Sequence, residues 1–325
     1  MTVAFAKVAV AVASCIVAPL VVLFVRPHAE WSYMDALCQR ILSCMTPLDI
    51  AVVRFGFAWF GRLQRLVYWP AAVVDSPTVK GLWYGDATTP LCDAVVILFV
   101  HGGGFLSGTA DCMSTGLFQP LLGRLQNSLR AVRLFSVEYD LAPEHPYPRA
   151  INQALDAYLW LLDQGVASTN ILLMGDSAGG NAVLSLLQRG RQQNVAMPAC
   201  GVLISPWVDL SVSTPSYDVK TDIFTKNTIV AWRNLYLGND LTKMIEASPG
   251  LQPLEGLPPL LVMYGQTELM ANDISAFCAK AKHTHLDLTE YVHPHLYHDF
   301  VMLPLGKPSH DAVAAIARFA ESKMQ

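Results

Sequence analysis

Apolar positions follow two rhythms along this chain. Between residues 31 and 70 they recur every three or four positions (Leu37, Ile41, then Ile50, Val53, Phe57, Phe60), the spacing of one helical face, and Pro47 divides the stretch into two helices. From residue 94 onward, short runs of branched apolar residues alternate with longer amphipathic stretches. The runs 94–100, 132–137, 171–174, 201–205, 260–264 and 286–292 have the length of buried strands, and 79–84 adds an earlier, weaker one. Helical spacing predicts helices over 117–129, 150–164, 179–188, 274–282 and 311–323. Such alternation implies an α/β fold, a largely parallel sheet with helices on both faces. The 54 residues between Ser205 and Leu260 are too many for a bare loop and 227–237 has helical character, so this segment reads as an insertion.

Near the start, residues 8–25 carry no charge. As a helix they would span about 27 Å, close to the hydrocarbon thickness of a bilayer. The first expectation is a single membrane anchor within residues 1–27; a cleaved signal peptide is the second, although 24–27 offers no small-residue cleavage site. A lipoprotein box at 12–15 ranks third, because apolar residues continue past Cys15. Lys7 and Arg26 flank the run too evenly to set its orientation.

Composition narrows the partners. With a hydrophobic fraction of 53%, 15% charged residues and a net charge of −4, the chain has no basic stripe for nucleic acid and leans toward apolar ligands or a membrane. Seven scattered cysteines, an odd number without a Cys-x-x-Cys pair, indicate neither a disulfide framework nor a structural zinc.

Two glycine-rich segments follow predicted strands. Gly175-Asp176-Ser177-Ala178-Gly179 has the pattern Gly-x-Ser-x-Gly between a strand and a helix, where small residues permit a sharp turn that lifts the Ser177 hydroxyl clear of the sheet. An ordinary strand–helix turn would look the same in isolation. His101-Gly102-Gly103-Gly104-Phe105 follows the strand 94–100, and successive glycines let backbone amides converge on one developing negative charge. No Gly-Lys-Ser/Thr accompanies it, which disfavours a phosphate loop.

Four segments together, HGGGF at 101, YDLAPEHPYP at 139, GDSAGGN at 175 and SPWVDL at 205, resemble the hormone-sensitive-lipase-like branch of the α/β-hydrolase family. That branch includes bacterial esterases, arylacetamide deacetylase and the gibberellin receptors. The likeness runs from about residue 80 to the end of the chain. It implies an α/β-hydrolase core at 79–325 with an insertion at about 207–259, a helical cap segment at 28–78, and no cofactor or metal. It also implies that the amides of Gly103, Gly104 and Ala178 form an oxyanion hole. One departure is Asp140, where the family often has Arg.

The fold's order of nucleophile, acid and base places the acid after strand 260–264 and the histidine after the next strand. Glu268 is the first candidate acid; Asp273 is the alternative, and could instead cap the helix near 274. Of His293, His295 and His298, only His298 has Phe two positions on, as the family does. Asp299 is expected not to bend back onto its neighbour, and a metal site at the three histidines lacks further ligands. His145 reads as structural; Trp207 and the aromatics of 224–232 read as cap core. The expected activity is a serine esterase acting on small apolar esters. An amidase of the arylacetamide type and a non-catalytic receptor on the same fold are the alternatives. The receptors have lost the catalytic histidine, which this chain keeps.

Overall fold

The computed structural model describes residues 17–24, 27–45, 49–129, 131–302 and 306–324. Among them the strands β1 (Ala72–Asp75), β2 (Lys80–Gly85), β3 (Val95–Val100), β4 (Val132–Val137), β5 (Ile171–Asp176), β6 (Cys200–Ile204), β7 (Leu260–Gly265) and β8 (Leu288–His293) form one sheet in the order β1-β2-β4-β3-β5-β6-β7-β8. β3 to β8 are mutually parallel, whereas β1 and β2 run antiparallel at one edge.

The uninterrupted apolar runs have a direct cause: β3, β5, β6 and β7 are buried at every position, so neither face can carry polar side chains. Ile171 and Leu173 enter one core, which α4 (Arg149–Asp163), α5 (Ala178–Gln192) and α7 (Ala271–His283) cover. Leu172 and Met174 enter the other, beneath α3 (Gln119–Leu125) and α8 (Lys307–Lys323). Each fully buried side chain of this size contributes about 1.5–3 kcal/mol.

The helices α1 (Tyr33–Met45) and α2 (Ile50–Arg65) precede the sheet, one on each side of Pro47 as the pattern predicts; α6 (Lys226–Tyr236) supplies the helix expected in the insertion. Several boundaries differ from expectation, three of them for a visible reason. β1 has no counterpart in the expected pattern: it is four residues long, largely exposed, and held by pairing with β2 and by Val74 packing on the core. The helix expected over 117–129 begins as a π-helical turn at Ser114–Phe118 and ends at Leu125. α8 starts at Lys307, with Pro308 in its first turn, where a missing amide costs nothing. Most of the charge-free run 8–25 lies outside the described residues. Residues 17–24 are helical, and among the described residues no helix is long and apolar enough to cross a membrane.

Candidate active site

β5 ends in a turn with Ser177 at φ 51° and ψ −115°, a conformation that L-residues occupy only when their surroundings enforce it. Those surroundings are the Ser177 amide donating to the Ile204 carbonyl (2.8 Å) and the Ser177 carbonyl accepting from Asn181 (3.1 Å) and Trp207 (3.0 Å). α5 starts at the next residue. A Cβ at Gly179 would fall 1.9 Å from the Val100 carbonyl oxygen, so only glycine lets α5 approach the end of β3 this closely.

The loop after β3 is the second wall. Gly103 and Gly104 both have positive φ, at 102° and 63°, and their amides donate to no protein acceptor among the described residues. The Ala178 amide is the first of α5 and has no carbonyl a turn before it within the helix. His101 faces away from this cradle, stacked on Tyr139 at 4.1 Å, and its Nδ1 lies 2.8 Å from the Gly102 carbonyl oxygen; burial pulls its pKa down to about 4. The Gly102 amide donates to Asp176 Oδ1 at 2.9 Å, which ties the loop to the turn.

His298 arrives from the segment after β8, buried, with Nε2 2.8 Å from Ser177 Oγ. Glu268, from the segment after β7, places Oε1 3.6 Å from His298 Nδ1, an ion-pair distance longer than a hydrogen bond. Such contacts often tighten only when substrate is bound. Glu268 Oε2 is held by Ser205 Oγ (2.8 Å) and the Gly265 amide (3.1 Å).

Asp273 lies elsewhere. It sits within the first turn of α7 rather than at its N-cap, which is Met270, and accepts from the Tyr217 hydroxyl at 2.8 Å. Burial raises its pKa to about 6, and the Tyr217 bond opposes that rise. The other histidines lie apart from Ser177: His295 stacks on His28 at 4.8 Å, and His293 meets Phe300 at a tilt at 5.6 Å and His295 edge-on at 6.5 Å. Among the described residues no group of three metal-binding side chains occurs.

One expectation needs correction. Asp299 does bend back: at φ 54° its Oδ2 comes 3.2 Å from His298 Nε2, the same nitrogen that faces Ser177. Trp232 is core, with Phe224 packed against it, as expected, and both also reach the site. Phe224 meets the His298 ring edge-on at 5.4 Å, and Trp232 lies so close to Gly104 that a Cβ there would fall 2.3 Å from its ring. Trp207 is buried core, as expected. Asp140 pairs with Arg149 at 2.7 Å, away from the site, and His145 is exposed.

Sequence reasoning missed two supporting residues. Asp222, in the insertion, accepts from the amides of His298 (2.9 Å), Ile223 (2.7 Å) and Leu269 (2.6 Å), and burial raises its pKa. Its neighbours, Asp218, Lys220, Thr221, Thr225 and Lys226, make this a mixed polar stretch in which one more carboxylate carries no signal. Ser205 donates to Glu268 and accepts from the Asp299 amide at 3.1 Å; its sequence signals were its place at the end of a strand and at the head of SPWVDL, neither of which assigns it a partner.

The electrostatics favour a charged imidazole. Burial alone would lower the pKa of His298, but Asp299 and then Glu268 outweigh it and hold it well above the usual histidine range. Burial raises Asp176, and nearby Asp299 adds to that rise. Glu268 is likewise raised by burial, with His298 opposing. Unprotonated, Nε2 can accept the Ser177 proton; protonated, it can return one to a leaving group.

A hydroxyl presented on a strand–helix turn, an imidazole in contact with it and free amides alongside define the site of a hydrolase with an α/β core. The chain belongs to the family described as alpha/beta hydrolase fold, which matches residues 97–302, and within it to the hormone-sensitive-lipase-like branch, whose carboxylesterase and lipase-like enzymes it joins. An esterase of Acinetobacter venetianus is 34% identical over 70% of this chain and 75% of its own length. Esterase LipU of Mycobacterium tuberculosis is 32% identical over 91% of this chain and 93% of its own. A crystal structure of an esterase from the bacterial hormone-sensitive lipase family superposes with a TM-score of 0.76 at 25% identity, covering 88% of this chain and 98% of the other.

Proposed function

We propose that this enzyme cleaves carboxylic esters through an acyl-enzyme on Ser177. His298 takes the hydroxyl proton as Ser177 attacks the carbonyl carbon, then delivers it to the leaving alkoxide. Glu268 fixes the ring so that Nε2 faces Ser177. The amides of Gly103, Gly104 and Ala178 receive the oxyanion, each such donor worth about 3 kcal/mol in the transition state. Water, activated by His298, then releases the acid and restores the hydroxyl. The observation that carries this reading is the 2.8 Å contact between Ser177 Oγ and His298 Nε2. It also favours an enzyme over a receptor on the same fold.

The substrate is a short to medium, apolar ester. Trp232 against Gly104 and Phe224 against His298 line the site with aromatic carbon and narrow the space beside the oxyanion amides. We take 28–78 and 207–259 to form one cap, an assignment supported by the Gln39 side chain donating to the Asp222 carbonyl at 3.0 Å. Membrane attachment through the run 8–25 belongs to the same reading, and co-flotation of the full chain with liposomes checks it. Side-by-side turnover of p-nitrophenyl acetate, butyrate and laurate and of p-nitroacetanilide tests the substrate. Acetate and butyrate are expected to exceed laurate at least tenfold and the anilide further still; preferred anilide turnover would replace the esterase with the amidase.

The pH profile follows from the carboxylates around His298. Asp299 faces Nε2, Glu268 faces Nδ1, Asp222 accepts the backbone amide, and Asp176 is near enough to interact with both Asp299 and the imidazole. Only the neutral ring can act as base, so activity rises as pH climbs through a raised pKa. Asp299→Asn removes the largest opposing charge, and the rise is expected at lower pH. An unchanged acid limb in kcat/KM would show that Asp299 does not govern the base.

A further inference from the structure

From Ile50 to Val74 the chain contains three arginines and no acidic residue, and its outward side is apolar. Phe55, Trp59 and Leu66 are 72%, 56% and 76% exposed, and Val67, Trp69 and Val73 continue the exposed surface past the end of α2 at 70%, 71% and 66%. Phe55 and Trp59 lie along one face of α2, four residues apart, and Leu66, the residue that caps its end, continues that face seven residues on. Single exposed apolar residues are ordinary; a run of six that includes two tryptophans is the mark of a covered surface.

The opposite side of α2 is fully engaged. Arg54 donates to the Leu106 carbonyl at 2.7 Å and pairs with Glu144 at 2.7 Å, Gln64 donates to the Cys112 carbonyl at 2.6 Å, and Arg65 pairs with Asp111 at 2.6 Å. These bonds clamp the helix onto the segment that follows the oxyanion loop. Arg62, exposed on the outer side, has no carboxylate partner among the described residues.

We propose that the outer face of α2 and the segment through Val73 lie on a lipid bilayer containing anionic headgroups. Aromatic rings with a polar edge settle at the headgroup boundary, apolar side chains dip below it, and the acid-free stretch lets Arg62 meet lipid phosphates without repulsion. A second copy of the chain fits poorly. A two-fold contact would set this surface against itself, bringing Arg62 to an identical acid-free face with nothing to pair with. A lipid surface also agrees with the charge-free run 8–25 in the same part of the chain, whose Leu20, Leu23 and Phe24 are themselves exposed. With α2 on the bilayer, the loop it clamps sits about one helix diameter, ~10 Å, from the lipid, where apolar esters concentrate.

The seven tryptophans make the test direct, since only Trp59 and Trp69 are largely exposed. The full chain is mixed with equimolar phosphatidylcholine and phosphatidylglycerol vesicles carrying brominated acyl chains, and tryptophan emission is followed. Wild type is expected to lose a fraction of its emission that Trp59→Phe/Trp69→Phe lacks altogether. Phe55→Ser/Leu66→Ser is expected to abolish most of that quenching, even where the run 8–25 still holds the chain on the vesicles, while leaving turnover of a soluble ester unchanged. Equal quenching in wild type and the tryptophan variant, or flotation of wild type without quenching, overturns the proposal, as does a solution dimer that the serine substitutions dissociate. The readout needs no ester cleavage, so its failure is separate from any failure of the proposed reaction.

Discussion

Ser177→Ala is expected to lower kcat/KM for p-nitrophenyl butyrate by roughly 10⁴–10⁶, the range seen when an activated serine is removed from such a site. The substitution deletes one oxygen. Ser177 keeps its role in the turn through its backbone, because the bonds to Ile204, Asn181 and Trp207 all use main-chain atoms. Thermal unfolding is therefore expected to change by less than about 1 kcal/mol, the scale of one neutral hydrogen bond. His298→Ala is a less clean control. It would leave the buried Glu268 carboxylate without its imidazole, and a buried charge stripped of its partner costs about 3–5 kcal/mol. A variant with alanine at 177 that kept more than a tenth of wild-type activity would sink the acyl-enzyme mechanism.

The second large effect separates two carboxylates that local sequence could not rank by geometry. Glu268→Gln preserves shape and can still bond Ser205 and the Gly265 amide, but it presents no charge to His298 Nδ1. The ring then loses the partner that keeps Nε2 facing Ser177, and kcat is expected to fall by roughly 10²–10⁴ with KM little changed. Asp273→Asn is expected to stay within about threefold of wild type, since its bond to the Tyr217 hydroxyl survives the change and the residue has no ion pair with His298. Steady-state kinetics on both variants decide the matter. If Asp273→Asn were the more damaging, Glu268 would lose its place.

The strands were legible because β3, β5, β6 and β7 are buried on both sides, and such segments can hold little but branched apolar residues. Ser177 was legible because its turn needs small neighbours at 175 and 179, a demand that sequence displays openly. His298 was separable from His293 and His295 only by the phenylalanine that follows it, a resemblance rather than a physical signal. The supporting carboxylates were not legible. The carboxylate of Asp299 reaches its neighbour's ring only because the backbone there turns left-handed, and no pattern of hydrophobicity encodes a positive φ at an aspartate. Asp222 acts from 76 residues away through backbone amides, whose owners carry no mark of it in their side chains. β1 escaped for the opposite reason: four residues of which only Val74 turns inward leave no amphipathic trace.

Asp222 also bears on how a substrate gets in. Its carboxylate joins the insertion to the segment carrying Glu268, through Leu269, and to the one carrying His298. Lifting the insertion at this point would break charge-assisted bonds to both segments and expose the acceptor left behind. The stretch around 222 is accordingly a fixed root, and any door that opens for an ester must swing about a hinge farther along the insertion. The entrance and the site in this enzyme share one anchorage, so loosening it to widen the one would also unseat His298 in the other.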